Sequence, residues 1–331
     1  MRAIVLDAYK QPPREADVPE PTVGDHDVLI QVAAAGLNQL DVKIGEGVFK
    51  RVLPYALPLV LGHDVAGTVI EVGGGVRGLK PGAFVYARPR DLRIGTLAER
   101  IAVDESDVAL APSTVSAIEA ASLPLVALTA WQALVERGNV GPGQKVLIHA
   151  GAGGVGTIAI QLAKHLGAHV ATTVSAANAD FARALGADVV IDYRSQDFET
   201  ELSGYDFVLD SVGGENLATS LRVLRPGGLA VGIAGPLDPA FAEAAGLSPL
   251  LRLAIAALSR SIRRQATKLG VRYEFLLMHA DGAQLREIAG LVDAGVIRPV
   301  VGATVPFADA PDAVASLGTT RIRGKAVATL P

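Results

Sequence analysis

The chain has 331 residues, half of them apolar and 19% charged, with a formal net charge of −4. That length argues for two domains, and that composition for large packed cores rather than disorder. The slightly acidic balance gives no electrostatic case for nucleic acid or an anionic membrane as partner. The absence of cysteine excludes disulfides, thiolate nucleophiles and any zinc site built on Cys.

From the N-terminus, MRAIVLDAYK reads as a first strand rather than a secretion signal, and no apolar run is long enough to span a bilayer. The expectation is a cytoplasmic protein. Up to about residue 110, short β-branched runs alternate with Pro and Gly clusters: Ala3–Leu6, Val28–Ala34, Asp64–Val72, Ala83–Ala87 and Leu97–Val103. Strands at that spacing predict a compact barrel-like domain. Ala117–Ala121 and Leu128–Arg137 read as helices.

From Lys145 the pattern changes to alternating strands and helices. Val146–His149 is a buried strand, and Gly151-Ala152-Gly153-Gly154-Val155-Gly156 follows at once, matching G-x-G-x-x-G. A helix with Ile158, Leu162 and Leu166 on its apolar face comes next, then a strand over His169–Val174. The first glycine permits the sharp turn, the second lets a pyrophosphate approach the backbone, and the third lets helix and strand pack closely. Strand before and helix after is the context that makes this a dinucleotide site.

An NAD-selective site places an acid at the end of the second strand, to accept from the ribose 2′-hydroxyl. Here Thr172–Asn178 holds none, and the first acid is Asp180. Ser175 and Asn178 can donate to a 2′-phosphate, with Arg183, Tyr193 and Arg194 as further candidates, so NADP(H) is the expected cofactor. Ser175 and Asn178 read equally as a helix N-cap and a polar loop residue. Further strands are expected at Val189–Asp192, Asp206–Asp210, Leu229–Ile233, Val271–Met278 and Ala326–Leu330, the last returning to the N-terminal domain. Helices are expected at Asp180–Leu185, Glu215–Leu224 and Ala283–Ala294.

Residues 236–268 exceed what a simple crossover needs. Leu247, Leu250, Leu251, Ala254, Leu258 and Ile262 form one apolar face, with Arg252, Arg260, Arg263 and Arg264 elsewhere. A basic amphipathic helix can lie on a membrane, but such a face more often packs on its own protein. A cover over the active site is the preferred reading.

Several motifs recur in one order. They are Gly36-Leu37-Asn38-Gln39-Leu40-Asp41-Val42-Lys43, Gly62-His63-Asp64-Val65-Ala66-Gly67, Leu123–Leu134 and the Gly151–Gly156 turn. Leu185-Gly186-Ala187-Asp188, Ile191-Asp192-Tyr193 and Arg323-Gly324-Lys325 complete the set. In combination they resemble the zinc-independent, quinone oxidoreductase-like branch of the medium-chain dehydrogenase/reductase superfamily, from Met1 to Leu330. The resemblance implies an α/β protein: a Rossmann doubly wound parallel sheet over 120–278, plus a GroES-like, mainly β catalytic domain over 1–119 completed by 279–331. It also implies a homodimer and hydride transfer from NADPH to quinones or α,β-unsaturated carbonyls.

The zinc-dependent members bind metal through a Cys where this chain has Asn38, through the His of a G-H-E motif, and through a later Cys. Only His63 remains, followed by Asp64, so no metal site is expected. Without zinc to polarise an alkoxide, conjugate reduction is favoured over alcohol oxidation.

By motif position, Asn38 is expected to donate near the nicotinamide or the substrate carbonyl. Lys43 is expected to stabilise an enolate oxygen or deliver a proton, with Asp41 orienting it; the alternative is a surface ion pair. Tyr55 is a weaker donor candidate. Thr129 is expected to contact the nicotinamide half of the cofactor. Gly153, Gly154, Val155 and Gly156 are expected at the diphosphate, and Ser175, Asn178 and Tyr193 at the 2′-phosphate. Ser211, Val212, Ile233 and Ala234 are expected along the nicotinamide, and Arg323 and Lys325 at the phosphate or nicotinamide. A non-catalytic, crystallin-like NADPH-binding protein of the same fold is the rival reading.

Overall fold

The computed structural model describes residues 1–319 and 322–330. They form two compact units: Met1–Leu128 together with the segment from His279 onward, and Thr129–Met278. The first boundary falls later than the expected residue 119. The reason is the helix Ala117–Ala121, which packs on the strands Asp27–Leu37 and Asp64–Val72. Gly36 makes this approach close, since a Cβ there would stand 2.4 Å from the Ala121 carbonyl oxygen.

The first unit is mainly β. Its larger sheet runs in the order Val301–Pro306, Lys325–Thr329, Asp27–Leu37, Asp64–Val72, Phe84–Ala87, Val108–Leu110, and Arg100–Asp104 also pairs with Asp27–Leu37. The last strand enters antiparallel beside the third, Ala326 opposite Leu37 and Val327 opposite Gly36. A smaller sheet joins Arg14–Asp17, Arg2–Leu6 and Leu59–Val60. Arg14–Asp17, Leu59–Val60, Val108–Leu110 and Val301–Pro306 are absent from the sequence expectation. They are short or half exposed, and only pairing makes them strands.

The second unit is an open parallel sheet in the order Val189–Asp192, His169–Val174, Lys145–Ile148, Tyr205–Asp210, Leu224–Gly232, Arg272–Phe275. Every neighbouring pair is parallel. In sequence order this is 3-2-1-4-5-6, the doubly wound arrangement, and its switch point lies beside the strand Lys145–Ile148. That strand is buried on both faces, as its unbroken apolar run requires. The expected helix Leu128–Arg137 divides into an α-helix, Pro124–Trp131, and a π-helical turn, Gln132–Arg137.

Residues 236–268 form three helices, Pro239–Ala244, Pro249–Leu258 and Arg260–Leu269. Asp238 anchors the entry, its carboxylate accepting from the backbone N–H of Phe241 at 2.7 Å and of Phe275 at 2.6 Å. The helix Arg260–Leu269 joins the core through Ile262 and Ala266. The expected packing face is corrected here. Leu250, Ala254 and Leu258 are exposed, and the helix Pro249–Leu258 buries Ile255 instead.

Candidate functional site

In the second unit the glycine turn is built by close approach. Ala150 leaves the first strand at φ 53° and its carbonyl oxygen accepts from Gly153 N–H at 2.9 Å. A Cβ on Gly151 would lie 2.1 Å from Thr172 Oγ1, and one on Gly156 would lie 2.3 Å from the Ala150 oxygen. Gly153 differs, with nothing nearer than the Ala150 oxygen at 3.3 Å. It caps the twelve-residue helix Gly154–His165. The N–H groups of Gly154, Val155 and Gly156 belong to the first turn, which a helix leaves unpaired and positively polarised. This cradle fits a diphosphate.

The expected cofactor residues that follow the second to fifth strands stand on loops at the same, carboxyl edge of the parallel sheet. Ser175 and Asn178 follow the second strand, joined by Asn178 Nδ2 donating to Ser175 Oγ at 3.3 Å. Tyr193 is exposed, and the Arg194 guanidinium lies 5.7 Å from its ring centroid. Arg183 is engaged elsewhere, donating to Asp180 at 2.9 Å. Ser211 Oγ donates to the His149 carbonyl oxygen at 3.3 Å, tying the ends of the first and fourth strands together. Ile233 N–H donates to the Asp210 carbonyl oxygen at 2.9 Å, and Gly213 lies against Ala234. The Asp210 carboxylate fixes the Ser211–Val212 loop by accepting from Val212 N–H, Gly213 N–H and Asn216 Nδ2. Thr129 is buried at the start of this unit.

Two residues of this unit have a place at the site that the sequence reading does not give them. Asp192, paired in register with Val174, brings a carboxylate beside the end of the second strand. The Ser195 hydroxyl and Arg194 N–H hold it below the usual carboxylate range. His149 lies buried directly before the glycine turn, between Thr173 Oγ1 at 3.0 Å and Ser220 Oγ at 2.9 Å. Burial lowers its imidazole to about 4, the Asp210 carboxylate offsetting part of the effect. In sequence Asp192 reads only within the Ile191-Asp192-Tyr193 motif and His149 only as a strand end, because each acts beside a neighbour that only sheet pairing supplies.

In the first unit a second set of polar groups is buried. Asp64 Oδ2 accepts from Lys325 Nζ at 3.0 Å and from Asn38 Nδ2 at 2.9 Å, while Oδ1 accepts from Leu125 N–H at 2.7 Å. Lys325 Nζ also donates to Asn38 Oδ1. Asn38 Nδ2 donates further to the Gly36 carbonyl oxygen at 3.2 Å. An ammonium beside Oδ1 and a carboxylate beside Nδ2 fix the amide's orientation.

Three expectations are corrected by this arrangement. Both amide hydrogens of Asn38 are engaged within the unit, so none is left for a substrate carbonyl. Lys325 is buried against Asn38 and Asp64 instead of reaching for a cofactor phosphate. Asp41 does not orient Lys43. Its carboxylate accepts from Asn38 N–H at 2.9 Å, Gly62 N–H at 3.2 Å and His63 Nδ1 at 2.6 Å.

Lys43 is half-buried on the helix Gln39–Gly45, and none of the hydrogen bonds and ion pairs described involves its ammonium. Tyr55 is buried with its hydroxyl unpartnered among the described residues, as is Nε2 of His63. Burial pushes the Tyr55 phenol up, which keeps it a hydrogen-bond donor and makes it a poor acid. Arg323 stands at the turn before the last strand and has interactions of its own.

Family models match both parts of the chain: Alcohol dehydrogenase GroES-like domain over residues 24–113 and Zinc-binding dehydrogenase over residues 185–327. The mitochondrial NAD(P)H oxidoreductase RTN4IP1 of Bos taurus is 35% identical over 323 residues, covering 91% of this chain and 81% of that protein. The 2-methylene-furan-3-one reductase of Solanum lycopersicum is also 35% identical, over 95% of this chain and 74% of that one. The quinone oxidoreductase of Coxiella burnetii superposes with a TM-score of 0.87 at 31% identity, over 100% of this chain and 99% of that chain.

The chain belongs to the medium-chain dehydrogenase/reductase superfamily. Like the quinone oxidoreductases of that superfamily, it joins a GroES-like unit to a parallel-sheet Rossmann unit. Zinc does not fit its residues. The position of one ligand holds Asn38, Asp64 is paired with the Lys325 ammonium, and a second cation would have to displace that charge. Among the described residues no group of three or more His, Cys, Asp or Glu side chains could hold a metal.

Two outcomes are expected. Lys325→Met leaves the Asp64 carboxylate buried and unpaired, and should cost about 3–5 kcal/mol in chemical denaturation. Asp64→Asn in the same chain should recover much of that loss, and additive costs would show the two groups to be uncoupled.

His149 gives a pH dependence of definite sign. Between about 6.5, the unfolded value, and about 4 the unfolded chain binds a proton that the folded chain does not. Stability should therefore fall as pH drops through that window, by up to about 3 kcal/mol from this residue. His149→Gln should flatten the limb in urea titrations at several pH values; an unchanged slope would assign it to other groups.

Proposed function

We propose that this protein is a zinc-independent, NADPH-dependent reductase of α,β-unsaturated carbonyls and quinones. The observation that carries it is the cradle at Gly153–Gly156, open to a ligand at the N-terminus of a long helix on the carboxyl edge of a parallel sheet. The enone reductase and oxidoreductases to which the chain is similar support the substrate class. In this reading the first-turn N–H groups of Gly154, Val155 and Gly156 hold the diphosphate. Ser175, Asn178 and Tyr193 hold the 2′-phosphate, and Thr129, Ser211, Val212, Ile233 and Ala234 line the nicotinamide half.

When bound, the reduced nicotinamide supplies a hydride. For an enone that chemistry would leave negative charge developing on the carbonyl oxygen and would require a proton at the α-carbon. Lys43 has the properties for the remaining work. Its ammonium can face the developing oxygen charge or give up a proton that solvent restores. The Tyr55 hydroxyl serves as a hydrogen-bond donor in the same unit. Asn38, Asp41, His63, Asp64 and Lys325 hold the helix carrying Lys43 in place. A homodimer and a cytoplasmic place of action belong to the same proposal. The open edge of the strand Arg272–Phe275 offers backbone groups for pairing with a second copy. The compartments printed for two relatives, mitochondrial and chloroplastic, describe those proteins.

NADPH should be consumed on mixing with simple enones and quinones. Lys43→Ala should lower kcat about 10²–10³-fold for an enone with little change in NADPH affinity. A chain that binds NADPH and turns over neither substrate class would favour the crystallin-like reading.

NADPH should bind at least about tenfold more tightly than NADH, or about 1.4 kcal/mol. Equal dissociation constants would show that the Asp192 carboxylate cancels the donors at Ser175 and Asn178.

A further inference from the structure

The helix Pro249–Leu258 presents its most apolar side to solvent. Leu250 is 77% exposed, Leu253 69% and Leu258 78%. With the exposed Ala254 and Ala257, they span an arc of roughly 140° at 100° per residue, one continuous stripe. Isolated exposed leucines are ordinary, but three on one short helix mark a contact surface.

The adjoining helix Arg260–Leu269 supplies the charge. Arg260, Arg264 and Lys268 follow at i, i+4 and i+8 along one exposed side, opposite the buried Ile262 and Ala266. The described ion pairs and hydrogen bonds include none from these three side chains to a carboxylate. Arg263 is different: its guanidinium donates to the Ala256 carbonyl oxygen at 3.0 Å, bracing one helix on the other. Ala257 of the apolar stripe and Arg260, Arg264 and Lys268 of the basic side line a single groove. The two features are therefore one surface.

The charge is also segregated along the chain. From Ala244 to Tyr273 there are six basic residues and no acid, so the rest of a chain of net charge −4 stands at −10. An overall acidic balance conceals a local patch of the opposite sign.

We propose that the helices Pro249–Leu258 and Arg260–Leu269 dock this protein on the surface of an anionic lipid bilayer. The leucines enter the boundary between headgroups and acyl chains, and Arg260, Arg264 and Lys268 meet the phosphates. Charge selects this occupant over a second copy, since two such faces would bring both basic patches together. Neither helix is long enough to cross; the attachment is peripheral. It is independent of which substrate the protein reduces.

The test is co-sedimentation of the full chain with vesicles of equimolar phosphatidylcholine and phosphatidylglycerol, and with phosphatidylcholine alone. Binding is expected to the first, to weaken as salt is raised, and to be at least about tenfold poorer on the second. Joint replacement Leu250→Ser, Leu253→Ser and Leu258→Ser should reduce it by roughly tenfold or more. Arg260→Gln, Arg264→Gln and Lys268→Gln together should reduce it about a hundredfold. All six side chains are at the surface, so NADPH binding and circular dichroism should be unchanged in both variants. No binding to the anionic vesicles at low salt, equal binding to both vesicle types, or indifference to the leucine replacements would overturn the proposal. So would self-association in sedimentation velocity that the leucine replacements abolish, which would make the surface a contact between copies.

Discussion

The first unit depends on one buried carboxylate. Asp64 receives Lys325 from the last strand, Asn38 from the end of the third strand and the backbone of Leu125 from a helix near its boundary. Three segments far apart in sequence thus meet on two oxygen atoms. A buried charge is costly alone and tolerable when paired and hydrogen-bonded, so each partner becomes a condition for the others. Gly36 belongs to the same constraint, since a side chain there would also collide with Asp64, 2.9 Å from its Cβ. Asp41 and His63 extend the network to the start of the helix that carries Lys43. The motif position that supplies a zinc ligand in the zinc-dependent members holds Asn38 here, and it is taken up by internal hydrogen bonds and charge pairing.

The second unit works on a different principle. Its cofactor edge is assembled by absence of side chains, at Gly151 and Gly156, and by carboxylates that pull loops into place. Asp210 draws in the loop after the fourth strand and Asp192 the loop after the third. His149 sits beneath the turn as a neutral bridge between two hydroxyls. The glycine turn is consequently closely packed and the loops beside it are polar.

Within the second unit, residues 236–268 obey the pattern of a packed amphipathic segment but pack through Ile255, Ile262 and Ala266, leaving the leucine stripe exposed. Periodicity foretold helices, and helices formed. It could not tell which side would face the protein, because a stripe of leucines looks the same whether it meets a core, a partner or a lipid surface. Whole-chain charge is likewise an average, −4 over a basic stretch and a more acidic remainder.

What the sequence determined by itself were the features that act locally. The glycine turn between strand and helix, the alternation that makes a parallel sheet, and the missing cysteines can each be read in a window of a few residues. The motif order from Asn38 to Lys325 was equally legible. What only the tertiary structure decided was which polar groups are free. Asn38 and Lys325 looked available and are bonded to each other and to Asp64; Lys43 looked paired and has no such partner. Asp192 was legible only within a motif and His149 only as a strand end, and both stand at the carboxyl edge of the parallel sheet. The physical reason is that a side chain's chemistry depends on its neighbours, and in both units those neighbours come from strands and loops dozens to hundreds of residues away. Local sequence sets what a residue can do, and long-range packing sets whether it is left able to do it.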